Sequence, residues 1–385
     1  MHQNKHLCLL SMLVMLLSAC IKSYEPDIQA NDEKKYVVSG QVTAGDSIQK
    51  VNVSITSPIG APHFIPVTGC HVKLMDDHGH QFGMSGIGKG DYTTVIDQEN
   101  LKPGYAFMIE ILTPDGETLI SDFDTIYSAP PVDSVYFERK DIEENIAGHF
   151  MIGIQFYIDL KGRPQDSRYY KWEETETWEY HTAYPIEWYY DGIVHHVIPP
   201  DYSWNVCWIS SKVPDIYTLS TANLEVNNFY KFPIHYVSNR TSRLSYGYSL
   251  LVKQYALSGA GYNYWDELRL NSDPDGGLFE KQPLAVRGNM HNTIHPENDV
   301  LGFFGAASVT QKRIFVKPIH DLPLDYYNQC NPYELIRGLG ELRPADYPAY
   351  LLGNHEGYTN MVLNDECVNC LLQGGTTTKP SFWPF

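Results

Sequence analysis

One helical period stands alone in a chain otherwise patterned for strands, and that contrast limits the fold more than any other feature. Leu257, Tyr264, Trp265 and Leu268 recur at i, i+7, i+8 and i+11, one face of a 3.6-residue helix. Ser258 stands at the N-cap position, where a hydroxyl accepts a bond from an orphan N–H of the first turn. Asn271-Ser-Asp-Pro-Asp-Gly-Gly then supplies turn residues and a proline. An amphipathic helix is therefore predicted over 258–271, with its aromatic stripe read as core. RGNMHNTI (287–294) and VLGFFGAASVTQKRIFV (300–316) follow and read as strands. The expected picture is one helix lying across a β-rich body that those two strands complete.

The N-terminus has a short polar start with Lys5, then an apolar run over 7–17, the build of a secretory leader at 1–19. That run is too short for a spanning helix, which needs roughly 20 apolar residues. Leu17-Ser-Ala-Cys20 resembles a bacterial lipobox, which makes Cys20 the predicted lipid-attachment residue; the competing reading is an ordinary leader with a chance cysteine. Several acyl chains on one residue give stable membrane anchoring, where one chain is marginal. Residues 20–35 are polar, carry Pro26 and lack a period, so they read as an extended lipidated tether. Its acidic residues, Glu25, Asp27, Asp32 and Glu33, resemble the acidic stretches that direct Bacteroidetes lipoproteins to the cell surface, although Ile21 and Lys22 come first. A net charge of −18 with no basic run excludes a phosphate backbone as partner.

Residues 36–128 read as an N-terminal β-sandwich. YVVSGQVT (36–43) and VNVSITS (51–57) are rich in β-branched residues. Pro103-Gly104 and Pro114-Asp115-Gly116 are turn chemistry, and about seven short strands at regular spacing fit a sandwich. The order Val38-x-Gly-x-Val42, Asp76-x-x-Gly79, Gly90-x-Tyr92 and Leu101-x-Pro-Gly104 resembles the transthyretin-like or carboxypeptidase-regulatory-like sandwich. His78 and His80 flank Gly79 in a turn, where solvated side chains are expected rather than a metal pair. Ser128-Ala-Pro-Pro-Val132 marks the domain junction. From 129 to 317 a second, Ig/fibronectin-like β-sandwich is expected, with the helix inserted between its late strands. Phe150, Ile152, Ile154, Phe156 and Ile158 alternate onto one face of its clearest strand. Residues 318–385 show little periodicity and read as an irregular cover tied by disulfides, with Phe382 and Trp383 packed at the end. The fold class is all-β.

Seven cysteines are present. Cys8 lies in the leader, Cys20 takes lipid, and Cys70 reads as a buried free thiol. An exported protein meets an oxidising compartment. Cys207, Cys330, Cys367 and Cys370 are therefore disulfide candidates, with three possible connectivities. The favoured reading has Cys367 and Cys370 each reaching a distant partner, Cys207 or Cys330. Zinc at the Cys367-x-x-Cys370 spacing is the rival, and it lacks a second close pair.

Leu17-Ser-Ala-Cys20, YVVSGQV, APPVDSVY, Cys207-Trp208, ALSGAGYNYWDEL, Gly288-Asn289, LGFFGAASV and the C-terminal C-x-x-C with GGT and KPSFW occur in that order. Together they resemble the Bacteroidetes lipoprotein family catalogued as domain of unknown function 4249, over nearly the whole mature chain. The resemblance implies a β-sandwich fold and an outer-membrane address, often beside a TonB-dependent transporter. It carries no catalytic residues.

Chemistry-bearing motifs are sparse. His291 and His295 have zincin spacing, yet Asn292 occupies the glutamate position and Pro296 breaks a helix. No catalytic, metal or cofactor site is predicted, and no GxSxG or phosphate-cradling loop is present. Glu173-Glu174 and Asp76-Asp77 pair carboxylates without marking an acid and a base. The candidate binding surface is aromatic. The stretch from 172 to 208 holds Trp178, Tyr184, Trp188, Tyr189, Tyr190 and Tyr202, and 182–202 reads as a long hairpin loop around Asp191-Gly192. Exposed, these rings would stack on sugars or dock on a partner; the competing reading packs them on one another. The function expected is a non-enzymatic outer-membrane lipoprotein that binds a ligand or partner, an accessory to a TonB-dependent transporter. The alternatives are a structural or adhesion lipoprotein of the envelope and, behind it, a glycan or peptide hydrolase. A glycan or peptide is the expected ligand class, and the cell surface or the periplasmic face the expected location.

Overall fold

The computed structural model describes residues 34–58, 61–144, 148–272, 286–327, 329–336, 338–354 and 357–385. The leader, Cys20 and the tether up to residue 33 lie outside the described residues. Nearly all of the regular secondary structure described is β, as the alternation of β-branched and turn residues requires.

The first core is built from β1 (Tyr36–Ala44), β2 (Ile48–Ile55), β3 (Ile65–Pro66), β4 (His71–Asp76), β5 (Gln81–Gly88), β6 (Asp91–Val95), β7 (Ala106–Leu112), β8 (Thr118–Ser121) and β9 (Asp124–Thr125). Alternate residues point inward: Val38, Val51, Val53, Leu74, Phe107, Ile109 and Leu119 form one buried cluster. β5 is the corner. Its Gln81–Met84 part pairs with β4 and its Ser85–Gly88 part with β6, so one strand serves both layers. The sequence QFGMSGIG allows this, because glycines bend a strand and leave no side chain to clash at the turn between layers.

The second core lies between a three-stranded sheet and the larger one. β10 (Ser134–Glu143), β11 (Phe150–Lys161) and β17 (Asn228–Ser238) form the small sheet. Facing it are β12 (Tyr169–His181), β16 (Tyr217–Ser220) and β18 (Tyr248–Ala256). The inward face expected on β11 is observed: Ile154, Phe156 and Ile158 are fully buried, and only Phe150, at the strand's start, is exposed. Trp172 is fully buried and its Nε1 donates to Gln254 Oε1 at 3.1 Å. Gln254 in turn donates to the Pro130 carbonyl at 2.9 Å, which ties the proline junction to this core.

Helix α1 (Gly259–Ser272) begins where predicted, and Ser258 Oγ accepts from the Gly261 N–H at 3.0 Å. It rests on the sheet through Tyr264, stacked on Phe303, and Tyr262, packed on Tyr169. Next come β19 (Met290–Asn292) and β20 (Leu301–Val316). The first half of β20 runs parallel to β1, from Val37↔Leu301 to Ala44↔Ser308. Its second half runs antiparallel to β18, from Ala256↔Ser308 to Tyr248↔Val316. Sixteen residues span roughly 50 Å, too long for one small sandwich.

This corrects the expected division at 128/129. The large sheet runs without a break from one core to the other. Met290, Val300, Phe304 and Ala306, expected in the second domain, pack in the first core. The Gly288-Asn289 pair explains how: Asn289 holds Phe304 at both ends, donating to its carbonyl at 2.8 Å and accepting its N–H at 2.9 Å.

Residues 318–385 are also less irregular than expected. β21 (Tyr333–Glu334), β22 (Ala349–Asn354) and β23 (Gly357–Val362) join the hairpin β13 (Ile186–Tyr190) and β14 (Val194–Asp201) in a sheet ordered β14-β13-β22-β23-β21. The partners β13 and β22 lie some 160 residues apart in sequence, so no local pattern announces them. Cys207 bonds Cys370 and Cys330 bonds Cys367, so the C-x-x-C pair reaches two different partners. Cys70 is free and buried. Trp383 is packed down and donates to Glu179 at 3.2 Å, while Phe382 lies under the Arg313 guanidinium at 3.6 Å.

Candidate functional site

The predicted aromatic residues do not form one surface. Trp178 sits on β12 and packs against the second core. Tyr184 packs beside Cys367 and donates to the Cys330 carbonyl at 3.1 Å. Trp188, Tyr189 and Tyr190 are consecutive on a strand, so they alternate between faces. Trp188 stacks on His196 at 3.4 Å, Tyr189 on His195 at 4.4 Å, and Tyr190 meets Tyr347 edge-on. Tyr202, at 61% exposure, stands apart from them. The loop is a folded hairpin whose rings are largely used in holding it, because β13 has a neighbour in β22.

The structure instead brings together a cleft of about 590 Å³ beside that hairpin. Tyr180 and His181 enter from the end of β12 and Tyr246 from the turn before β18. Tyr326, Tyr327 and Gln329 form a second side, and Asn364, Glu366 and Gln373 a third. His181 stacks on Tyr246 at 3.6 Å and 13°, and its Nε2 lies 2.7 Å from Glu179. Gln373 Nε2 donates to Glu366 Oε2 at 2.9 Å. Both disulfides anchor the wall at 364–373: one ties it to the 326–330 side, the other to β15 (Val206–Lys212). Burial, then the nearby Glu366 charge, pushes the Tyr180 phenol up, and burial does the same for Tyr246. Both rings therefore offer neutral hydroxyls. Sequence reasoning missed this cleft because its residues are spread from 180 to 373; the Tyr326-Tyr327 pair just ahead of Cys330 is the one local hint.

A second cavity, of about 360 Å³, opens beside β12 where its neighbouring strand is interrupted. Trp172 pairs with Tyr217 on β16 and Thr175 with Lys212 on β15, leaving Glu173 and Glu174 opposite the arch between them. Lys171 is buried, bonded to Glu173 at 2.7 Å, with its Nζ 3.7 Å from the Trp265 ring centre. Burial pushes the lysine down, against the raising effect of Glu173. Glu174 is only 2% exposed and neither carboxyl oxygen has a hydrogen-bond partner. Burial, then the charges of Glu173 and Asp215, pushes its pKa well above the ordinary carboxylate range. Adjacent strand residues face opposite ways, so Glu173 and Glu174 do not converge on one substrate as an acid–base pair does.

The other motifs are accounted for locally. Asp76 is buried and closes its turn, accepting the His78 and His80 N–H groups at 3.0 and 2.8 Å. His291 lies 3.1 Å from Asp122, and His295 lies 2.8 Å from Glu117; neither is on a helix. Among the described residues, no group of three or more His, Cys, Asp or Glu is placed to hold a metal ion, and no helix is long and apolar enough to cross a membrane.

The class defined by these features is an all-β protein of two cores on one shared sheet, with a disulfide-walled, ligand-sized cleft. Residues 21–313 match the model of the family described as a domain of unknown function, DUF4249, and the chain belongs to that family. No curated protein matches it. Among solved structures, trypsin-activated alpha-2-macroglobulin from Escherichia coli is 10% identical over 59% of this chain and 15% of that one, with a TM-score of 0.20. The native conformation of the E. coli alpha-2-macroglobulin gives 10% identity over 59% and 13%, with a TM-score of 0.18. The chain spans less than a sixth of either molecule, and both likenesses are too slight to define a shared fold.

Proposed function

We propose that the chain is a lipid-anchored outer-membrane lipoprotein, carried at the cell surface, that binds a ligand or partner protein without catalysing a reaction. Its role is accessory to a TonB-dependent transporter. The observation that carries the binding role is the cleft. It falls within the roughly 300–1,000 Å³ of small-ligand sites. Two disulfides fix its far wall, so little ordering cost remains at binding. Its lining offers rings, phenols and amides, with the hydroxyls of Thr182, Thr241 and Ser242 and the charges of Arg240 and Glu366. The Leu17-Ser-Ala-Cys20 sequence supports the anchor.

The test is a pull-down of the tagged full chain from its native outer membranes in mild detergent, read by mass spectrometry. A β-barrel transporter is expected in stoichiometric amount. Fatty-acid labelling is expected on the wild type and lost in Cys20→Ser. A clean monomer would remove the transporter, and an unlabelled wild type would remove the anchor.

A further inference from the structure

Resting on the reading that the cleft is a binding site, we infer that its ligand is a neutral carbohydrate, a short oligosaccharide held by ring stacking and by planar hydrogen-bonding groups. The rings come first. Tyr246 keeps 44% of its surface exposed while His181 backs it in a parallel stack, which fixes the orientation of the free part. Tyr327, across the cleft, is 79% exposed. A pyranose presents a face of weakly positive C–H groups, and the negative face of an aromatic ring is its natural platform.

The polar groups fit the same class. A sugar hydroxyl donates and accepts at once, so it needs partners that do both within a small area. Asn364 Oδ1 accepts from the Glu366 N–H at 3.0 Å, so the donor capacity of this side chain rests on its amide nitrogen. The Gln373–Glu366 contact orients an amide and a carboxylate side by side. Gln329 adds a third amide from the opposite wall.

Charge and shape exclude the main competitors. Arg240, the guanidinium in the lining, has its charge paired by Glu144 through bonds at 2.6 and 3.0 Å, and Glu366 adds a negative charge to the lining. A phosphate or sulfate ester is favoured by a cation whose charge is not already paired. An aliphatic peptide side chain would need an aliphatic recess, whereas the side chains lining this cleft are aromatic, amide, hydroxyl or charged, apart from Ala183 and Cys330.

The experiment is isothermal titration of the purified full chain with a panel of short neutral gluco-, manno-, galacto- and xylo-oligosaccharides in both anomeric linkages. A pool of neutral tetrapeptides runs beside it. At least one saccharide is expected to bind and to change the aromatic emission. Tyr246→Ala should weaken it by up to about tenfold, as loss of a stacking partner does. Tyr246→Phe should keep affinity within about twofold, since the ring remains. Urea midpoints of both variants, matched to wild type, exclude unfolding as the cause. The inference is overturned if no saccharide binds, if the tetrapeptides bind instead, or if binding is indifferent to both Tyr246→Ala and Tyr327→Ala. A transporter recovered by pull-down alongside any of these results would leave the accessory role standing and remove the sugar alone.

Discussion

Glu174 and Glu176 are two carboxylates on the same face of β12, and their surroundings send them in opposite directions. For Glu176, burial raises the pKa, but the His235 hydrogen bond and the Arg243 charge outweigh it and hold the group below the usual range. Arg243 reaches both of its oxygens at 2.8 Å and Tyr248 donates at 3.0 Å. Glu174 has no such partners, and burial favours its protonated form. Its folded pKa lies above the unfolded value near 4.5, so its contribution to stability is fully present below that value. The contribution is lost as pH rises through the folded pKa. Glu174→Gln cannot ionise. Its urea midpoint should therefore gain on that of wild type as pH rises above about 4.5. Parallel curves across that range would show that Glu174 is already ionised in the folded protein. The sequence displays two glutamates at alternate positions; only the folded neighbourhood separates them.

At the level of elements, the strands and the helix were legible because each carries its own period or cap. The alternation over 150–158 and the Ser258 cap both correspond to what is observed. The third sheet was not legible: β21 to β23 are short, rich in Tyr, Gly and Asn, and gain stability from the distant hairpin rather than from local pattern. That dependence is testable. The Cys330–Cys367 bond closes a separation of 37 residues, worth about 4 kcal/mol in the loop-entropy picture. A Cys330→Ala, Cys367→Ala double variant should lose amide-exchange protection over Ala349–Val362 before it loses any in the second core. Equal loss in both would mean the sheet is not a separate cooperative unit. A second element-level case is Gly302, held at φ +97° where β20 meets β1. A Cβ there would lie 1.9 Å from the Val38 carbonyl. Gly302→Ala should cost at least about 3 kcal/mol, measured by urea unfolding, because backbone strain and a clash combine. A shift under about 1 kcal/mol would show the strand pair yielding at little cost.

For the whole molecule, the misplaced boundary has a plain cause. Composition and turn signals mark where a chain changes direction, and the Ala129-Pro-Pro131 junction is such a place. They do not show that a strand some 170 residues on will return to fill the first core with Phe304 and Ala306. A fragment of residues 34–128 lacks those side chains and the parallel neighbour of β1. It should remain unfolded by circular dichroism and by amide dispersion in NMR, and the full chain should melt in a way that couples the two cores. A folded fragment would restore the independent first domain. The cleft was illegible for a related reason: its walls come from three regions joined by disulfides and by the shared sheet.

The parallel pairing of β1 with β20 also has a mechanical side. The chain enters the fold at β1, and a tug at residue 34 along that strand loads the eight registered pairs from Val37↔Leu301 to Ala44↔Ser308 together. Bonds loaded side by side share the force, whereas a hairpin pulled from its open end yields one rung at a time. A protein fixed to a surface by its first residues and dragged by flow would thus be held through its strongest direction. The cleft, far along the chain, would be spared the strain. In a single-molecule pulling experiment, traction from residue 34 should give a higher rupture force than traction applied across the β22–β23 hairpin.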